Sequence, residues 1–391
     1  MYVPVVVLML VKHFHARAME AYLAENVVAR VCIGRQDTPR PQMRDHSHIA
    51  RAYAALGTDG VEEINALMLH VARDCGFAEV DILSSDTTAQ ELPIGYPNAP
   101  GILRGVAQRC GRALSKRKTR GVLGVDAALQ QVQTILRSVK EHHLFAKGTQ
   151  EKRQVLIRLL TEVGQLMGQT RPVVTRLGPR CERVRQNAKA PLVAMHEVAK
   201  QLIPQSVQWI TTEVVAKGKI VPVGLTQARA IVRNKAGKKV EFGLPSLLSR
   251  LGGGSIFGPL IRGVVDESKM PLQALAGYRA IFGAQATPTL VVYDRGGYAT
   301  ATVRALAHEG GKEIGLQPKG QGAWRVAEAV RETVRSERGK TEGIIGTLKT
   351  DKYGFNKPKE RLWQTLEMAG PRSILSCNLH KLMRDLGRTD R

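Results

Sequence analysis

One long interruption limits what this chain of 391 residues can fold into. Strand character begins at Phe77–Leu83 and then vanishes, and from Arg104 to Trp209 the sequence is rich in Ala, Leu, Gln, Lys and Arg. Apolar residues recur there at helical spacing, at Leu129, Val132, Ile135 and Leu136 and again at Val155, Leu156, Leu159 and Leu160. Strand signals return at Lys219–Val223, Ala230–Val232, Val240–Leu248 and Ser255–Val265, with Gly252, Gly253 and Gly254 as a connecting turn. Then the order becomes regular. Pro271–Phe282 reads as helix, Pro288–Tyr293 as a buried strand, Ala299–His308 as helix, Glu313–Leu316 as strand, and Ala323–Lys349 as a long helix. Antiparallel strands followed by alternating strands and helices predict an α/β fold, a mixed sheet flanked by helices, with a helical insertion at about 104–216.

The composition narrows the partners. The chain carries 58 Lys and Arg against 34 Asp and Glu, a formal net charge of +24. Such an excess favours polyanions, chiefly nucleic acid. The cations come in bursts: Arg104, Arg109, Arg112, Lys116, Arg117, Lys118 and Arg120 with no acid among them, six more between Arg171 and Lys189, and four between Arg233 and Lys239. Any one burst also reads as a solvated helix face, while several on so basic a chain favour phosphate contact. An apolar fraction of 43% indicates a folded protein, and 5% aromatics counts against a single-strand binder built on stacking. Cys32, Cys75, Cys110, Cys181 and Cys377 are scattered, without zinc spacing, and read as buried thiols in a reducing compartment.

Residues 1–78 read as a helical unit, either a DNA-binding head or a helical cap on the main domain. Met1–Val11 is apolar but too short to span a bilayer, and an apolar helix at the very start points to a true start upstream. Gln36–Asp45 is a Pro- and Arg-rich connector, Ser47 is a candidate cap, and Asp59–Cys75 places Val61, Ile64, Leu67, Met68 and Val71 on one helical face. The tail, 357–391, reads as an amphipathic helix through Leu362, Leu366, Ile374, Leu375, Leu379 and Leu382, broken near Gly370-Pro371 and packed on the preceding domain.

Three acids stand out. Asp86 follows the strand that starts at Phe77, and Asp294 ends an apolar strand before Arg295-Gly296-Gly297. Taken singly, each also reads as an Asp that starts a turn. In the long helix, Arg335, Arg338, Glu342 and Lys349 fall within roughly 60° of one another, beside the stripe of Val330, Val334, Ile345 and Leu348. A plain salt bridge between Arg338 and Glu342 is the alternative. Acids on two strands and one helix supply the hard oxygen ligands that a pair of Mg²⁺ ions needs for phosphodiester cleavage.

At these residues the sequence resembles the DDE transposases of bacterial insertion sequences. Asp86-Thr87-Thr88 with Ile94-Gly95-Tyr96-Pro97 and Ile102-Leu103 is similar to the family's first motif, and Asp294-Arg295-Gly296 with Tyr298 to its second. Arg338, Glu342 and Lys349 match the spacing of the third, and the 239–261 hairpin with Val240-Glu241-Phe242-Gly243 resembles the strands between the first two acids. Arg335 stands where the family has Tyr, Asn98-Ala99-Pro100 replaces a common Thr-Asp-Ser, and Gly297 is extra.

The resemblance implies an RNase H-like catalytic domain over 79–356, interrupted by the insertion. It implies two Mg²⁺ ions (or Mn²⁺) held by Asp86, Asp294 and Glu342, with Arg338, Lys349, Arg295 and Arg335 on DNA. It further implies double-stranded DNA at transposon ends and target, a homo-oligomer in the synaptic complex, no membrane, and a cytoplasmic, nucleoid-associated place in a bacterium. Asp81 is the rival for the first acid. The alternative function is a catalytically inactive DNA-binding remnant of a transposase; a basic RNA-binding protein is least favoured, since aromatics are scarce.

Overall fold

The computed structural model describes residues 2–35, 45–94, 97–118, 122–175, 182–216, 218–232, 240–258, 260–261, 265–320, 322–324, 326–360 and 363–389. In chain order the elements are α1 (Tyr2–Lys12), α2 (Ala16–Glu25), α3 (Val27–Cys32), α4 (His46–Asp74), β1 (Glu79–Glu91), α5 (Ala99–Lys118), α6 (Val125–Phe145), α7 (Thr149–Thr175) and α8 (Glu182–Thr212). They continue with β2 (Arg229–Val232), β3 (Val240–Gly252), β4 (Ile256–Phe257), α9 (Met270–Phe282), β5 (Leu290–Tyr293), α10 (Thr300–His308), β6 (Glu313–Leu316), α11 (Glu328–Leu348), α12 (Trp363–Glu367) and α13 (Ala369–Thr389). Two compact units result, one of Met1–Pro93 with Leu244–Arg391 and one of Ile94–Gly243.

The sheet is mixed, as the alternation of elements predicts. Its six strands run in the order β2-β3-β1-β5-β6, with β4 paired to β3. β3 is antiparallel to β2 and to β4, whereas β5 is parallel to β1 and β6 parallel to β5. All four residues of β5 are buried, the continuous apolar run of a strand covered on both faces. Gly253 and Gly254 turn the chain from β3 to β4 at positive φ, and a side chain at Gly253 would strike the Phe77 carbonyl.

Several local expectations need correction. β1 does not stop near Leu83 but runs on to Glu91, so Asp86 lies inside a strand and does not follow one. The added stretch, Ser84 to Gln90, is mostly polar and has no apolar alternation. It is held as strand by hydroxyl contacts, Ser84 to Thr341 and Ser85 to Ser249, that no local pattern reveals. Lys219–Val223 is not a strand; Ile220 and Val223 instead pack into the core of the helical unit. Among the described residues of Ser255–Val265, Ile256–Phe257 alone is strand, extended by a bridge from Leu260 to Ser246. Cys110 and Cys377 are buried, but Cys32 and Cys75, at the ends of α3 and α4, are exposed.

Asp45, not Ser47, caps α4. Its Oδ1 accepts from the Ser47 and His48 amides at 2.7 and 3.0 Å. The helix resumes beyond a break at Gly57, where φ is +67°. Its buried stripe is Val61, Asn65, Met68, Leu69 and Ala72, while Leu67 and Val71 are 61% and 50% exposed. Val6 and Leu10 of α1 and Val61 and Leu69 of α4 share one apolar core with Leu83, Leu247 and Val291 of the sheet. The tail is two helices divided at Met368, with Pro371 in the first turn of α13, and Leu366, Ile374 and Leu375 are buried.

In the other unit, α5 to α8 close around a separate core that includes Leu103, Leu114, Ile135, Leu159, Leu166 and Leu192. The segment expected as an insertion, about 104–216, falls inside this unit. No helix among the described residues is long and apolar enough to cross a membrane.

The stripe on α4 makes a direct prediction. Leu69→Ala, at 0% exposure, should cost about 2–5 kcal/mol in denaturant unfolding, whereas Leu67→Ala should stay within about 0.5 kcal/mol. Equal losses from the two would show that α4 is packed in another rotation.

Candidate functional site

The first two acids meet through strand register. β1 pairs with β5 at Ile82↔Leu290, Leu83↔Val291 and Ser84↔Val292. The pairing ends there, and Asp86 within β1 and Asp294 just after β5 each lie two residues beyond it, at the same offset. β6 follows in step with β5, its Leu316 beside Tyr293, so Gln317 comes level with Asp294. The rival Asp81 is on the opposite face of β1 from Asp86 and five residues earlier, about 16 Å along the strand. By this offset Asp86, and not Asp81, corresponds to Asp294.

Asp294 opens a single 3₁₀ turn, Arg295–Gly297, and its Oδ1 accepts from the Gly296 amide at 2.8 Å. The turn-starting role is thus real, and Oδ2 makes no bond among the described residues. The extra glycine of the motif has a packing cause: any side chain at Gly297 would collide with the Tyr293 ring and Pro271.

Behind the two aspartates is a third carboxylate that the sequence did not single out. Glu267 accepts from Thr87 Oγ1 and from the Tyr293 hydroxyl, both at 2.8 Å, and so ties the neighbours of both acids together. Burial pushes the Tyr293 phenol far above its ordinary value of 10, and the charges of Glu267 and Asp86 push it in the same direction. Glu267 precedes a Ser-Lys pair between two elements, with no motif to mark it.

Helix α11 crosses the sheet on the face that carries Ser84 and Asp86. Val334 packs on Leu290 and Val292 of β5, the Ser84 Oγ lies 2.7 Å from Thr341 Oγ1, and Leu348 packs on Leu248 of β3 and Ile256 of β4. One flank of α11 faces the ends of β5 and β6. There Arg331, Arg335 and Arg338 line a cavity of about 390 Å³ together with Arg295, Gln317 and Trp324. Helical spacing continues this flank through Glu342 to Lys349.

Glu342 is exposed, and among the described residues it makes no hydrogen bond or ion pair. The salt bridge with Arg338 that offered a plainer account is absent among them. Arg335 faces Glu328 at 3.5 Å across an exposed pair, and Arg295 Nε donates to Gln317 Oε1 at 2.8 Å. Trp324 is half-buried beside Val334, under Arg331, and its indole Nε1 has no partner.

The buried stripe of α11 also differs from the apolar one read in the sequence. Its centre is polar, Glu337 and Thr341. Glu337 pairs with the buried Arg250 of β3 and with Lys340 at 2.6 Å. With both partners cationic, Glu337 braces the helix and is not a free donor.

Asp86, Asp294 and Glu342 are hard oxygen donors, with no sulfur or imidazole among them, so they suit Mg²⁺ or Mn²⁺ in kind. In position, the two aspartates suit a shared ion, while Glu342 reaches them only if its exposed side chain turns inward. Among the described residues no three His, Cys, Asp or Glu side chains form a metal-holding group. Gly95 and Tyr96 of the first motif, most of the 36–45 connector, Arg120, Arg176, Arg180, Cys181 and Arg233–Lys239 lie outside the described residues.

The Tyr293 contact sets a pH dependence. A phenol whose folded value exceeds its unfolded one stabilises the fold fully below about pH 10 and loses that contribution as pH rises further. Tyr293→Phe should therefore unfold with a flatter alkaline limb than the wild type, while losing about 1–3 kcal/mol near neutrality because Glu267 forfeits a donor. Parallel alkaline limbs in thermal melts would contradict the assignment.

Comparison with protein-family models, with curated proteins and with solved structures finds no match to this chain.

Proposed function

We propose that the chain is a DDE transposase with an RNase H-like catalytic domain, acting on double-stranded DNA at transposon ends and at a target. The observation that carries this reading is that Asp86 and Asp294 stand at the same offset beyond the parallel pairing of β1 with β5, in a sheet crossed by α11, the helix that bears Arg335, Arg338 and Glu342 and ends at Lys349. The mixed sheet, antiparallel at β3 and β4 and parallel at β5 and β6, supports the fold assignment.

Asp86, Asp294 and Glu342 would hold two Mg²⁺ ions, or Mn²⁺, which when bound supply activation of the attacking oxygen and stabilisation of the leaving one. The protein's own part is positioning. Arg295, Arg335, Arg338 and Lys349 grip phosphates on either side of the scissile bond, as cations beside a site of concentrated negative charge. Water attacks phosphorus, the bond to the 3′ oxygen breaks, and that oxygen leaves as a free 3′-OH. In the second step the 3′-OH loses its proton as it attacks a target phosphodiester, and the displaced target 3′ oxygen takes one up. Two ends must be held at once, which calls for a homo-oligomer in the synaptic complex, at the bacterial nucleoid.

A second reading has its own support. Glu342 is exposed and Arg335 replaces the family's Tyr, both compatible with a remnant that binds DNA and no longer cuts it.

Nicking of transposon-end DNA separates the two. The full chain should nick it in the presence of Mg²⁺, and Glu342→Gln and Asp294→Asn should each reduce nicking to background with duplex affinity unchanged. Full cleavage by both variants would overturn the site. Duplex binding without any Mg²⁺-dependent nicking by the wild type would establish the remnant.

A further inference from the structure

We infer that the helical unit, Ile94–Gly243, carries a second DNA-backbone site of its own, a cationic groove along α5 that takes the phosphates of a duplex. It rests on the transposase reading only for the choice of DNA as the polyanion.

The groove has a volume of about 390 Å³ and is lined by Asn98, Gln108, Arg109 and Arg112 of the α5 region and by the segment Val221–Gly224. Among the described residues no carboxylate and no aromatic ring lines it. Two glycines shape it. Gly105 lets Val223 pack against α5, since a side chain there would press on Val223 Cγ2 at 3.1 Å. Gly224 leaves room for the Arg109 guanidinium, which any side chain at that position would strike. Arg109 is thereby laid against backbone, so it gives up less side-chain freedom when it binds an anion. Asn98 Oδ1 accepts from the Gly101 amide at 2.6 Å, and the N-terminal end of α5 adds its partial positive charge.

The rest of α5 extends the same chemistry. Leu103, Val106, Cys110 and Leu114 face the core, so Arg104, Arg109, Arg112 and Lys116 are turned outward and exposed. Arg104, Arg109 and Arg112 have no carboxylate partner among the described residues. Arg109, Arg112 and Lys116 fall within roughly 60° of one another and span about 10 Å along the helix, longer than one phosphate and suited to successive phosphates of a polymer. The described lining offers guanidinium, amide and aliphatic groups, which suit contact to the phosphate backbone, indifferent to sequence. The outward face of α5 shows no large apolar residue to enter a bilayer, which argues against a membrane surface.

The test measures binding of the full chain to a labelled duplex of about 20 base pairs and arbitrary sequence, without divalent metal, across about 50–200 mM salt. Replacing both Arg109 and Arg112 by Gln should lower the slope of log K against log salt by about 1.8 and weaken binding at least about tenfold at the low-salt end. Arg112→Gln alone, a change at an exposed position, should lower the slope by about 0.9 and guards against loss of fold in the double variant. An unchanged slope in both variants would overturn the groove and leave the transposase reading intact. Loss of Mg²⁺-dependent nicking in the wild type, with the slope changes present, would overturn that reading and leave the groove. No duplex binding by the wild type would overturn both. Tighter binding to a double-stranded RNA, or to anionic vesicles through the same arginines, would overturn DNA as the occupant.

Discussion

Where α11 lies on the sheet decides nearly everything about the candidate site, and a small set of buried polar contacts decides where α11 lies. Ser84 meets Thr341 and the Glu337 carbonyl, and Glu337 meets Arg250 across from it, with both charged side chains less than a tenth exposed. Apolar packing at Val334 and Leu348 supplies attraction without direction. The ion pair and hydroxyl contacts supply direction, because a helix rotated by one residue would leave two charges buried without partners. Removing one member of such a pair costs about 3–5 kcal/mol, enough to fix one rotation of the helix against its neighbours. That rotation turns Arg331, Arg335 and Arg338 toward the ends of β5 and β6 and carries Glu342 and Lys349 along the same flank.

Much of this was legible in the residues. The run Leu290–Tyr293, the helices at Met270–Phe282 and Thr300–His308, the strand Glu313–Leu316 and the long α11 all show in their apolar spacing, because each buries apolar residues against a neighbour. β1 past Leu83 did not show. Its Ser and Thr side chains are buried by hydrogen bonding and not by apolarity, and propensity carries no trace of partners more than a hundred residues away. The same blindness hid Glu337 and Glu267. Each reads as an ordinary surface acid until the fold brings Arg250 to one and Tyr293 and Thr87 to the other. On α4, Leu67 and Val71 misled for the opposite reason: a helix with apolar residues on more than one side needs its partner to choose the buried side.

The site itself divides along the same line. That Asp86, Asp294 and Glu342 belong together could be proposed from order and spacing, but their relation in space depends on register, which no single segment encodes. Register also distinguishes Asp86 from Asp81, a choice that spacing to Tyr96-Pro97 made on other grounds. The extra Gly297, an irregularity in the motif, becomes intelligible only once the Tyr293 ring is seen lying over it.

The short β5 has a consequence for how such a chain can vary. Asp294 is counted out from Leu290 by four residues, all of which pair with β6 and the first three also with β1. A single residue gained or lost within that count would turn Asp294 to the other face of the sheet and out of line with Asp86. Between Glu91 and Arg229, by contrast, the chain accommodates the bulk of a whole helical unit, because no described residue there is paired in register with a strand of the sheet. Tolerance to changes in length is therefore set by where the ladder keeps count: generous between β1 and β2, and absent over the four residues that lead to the second acid.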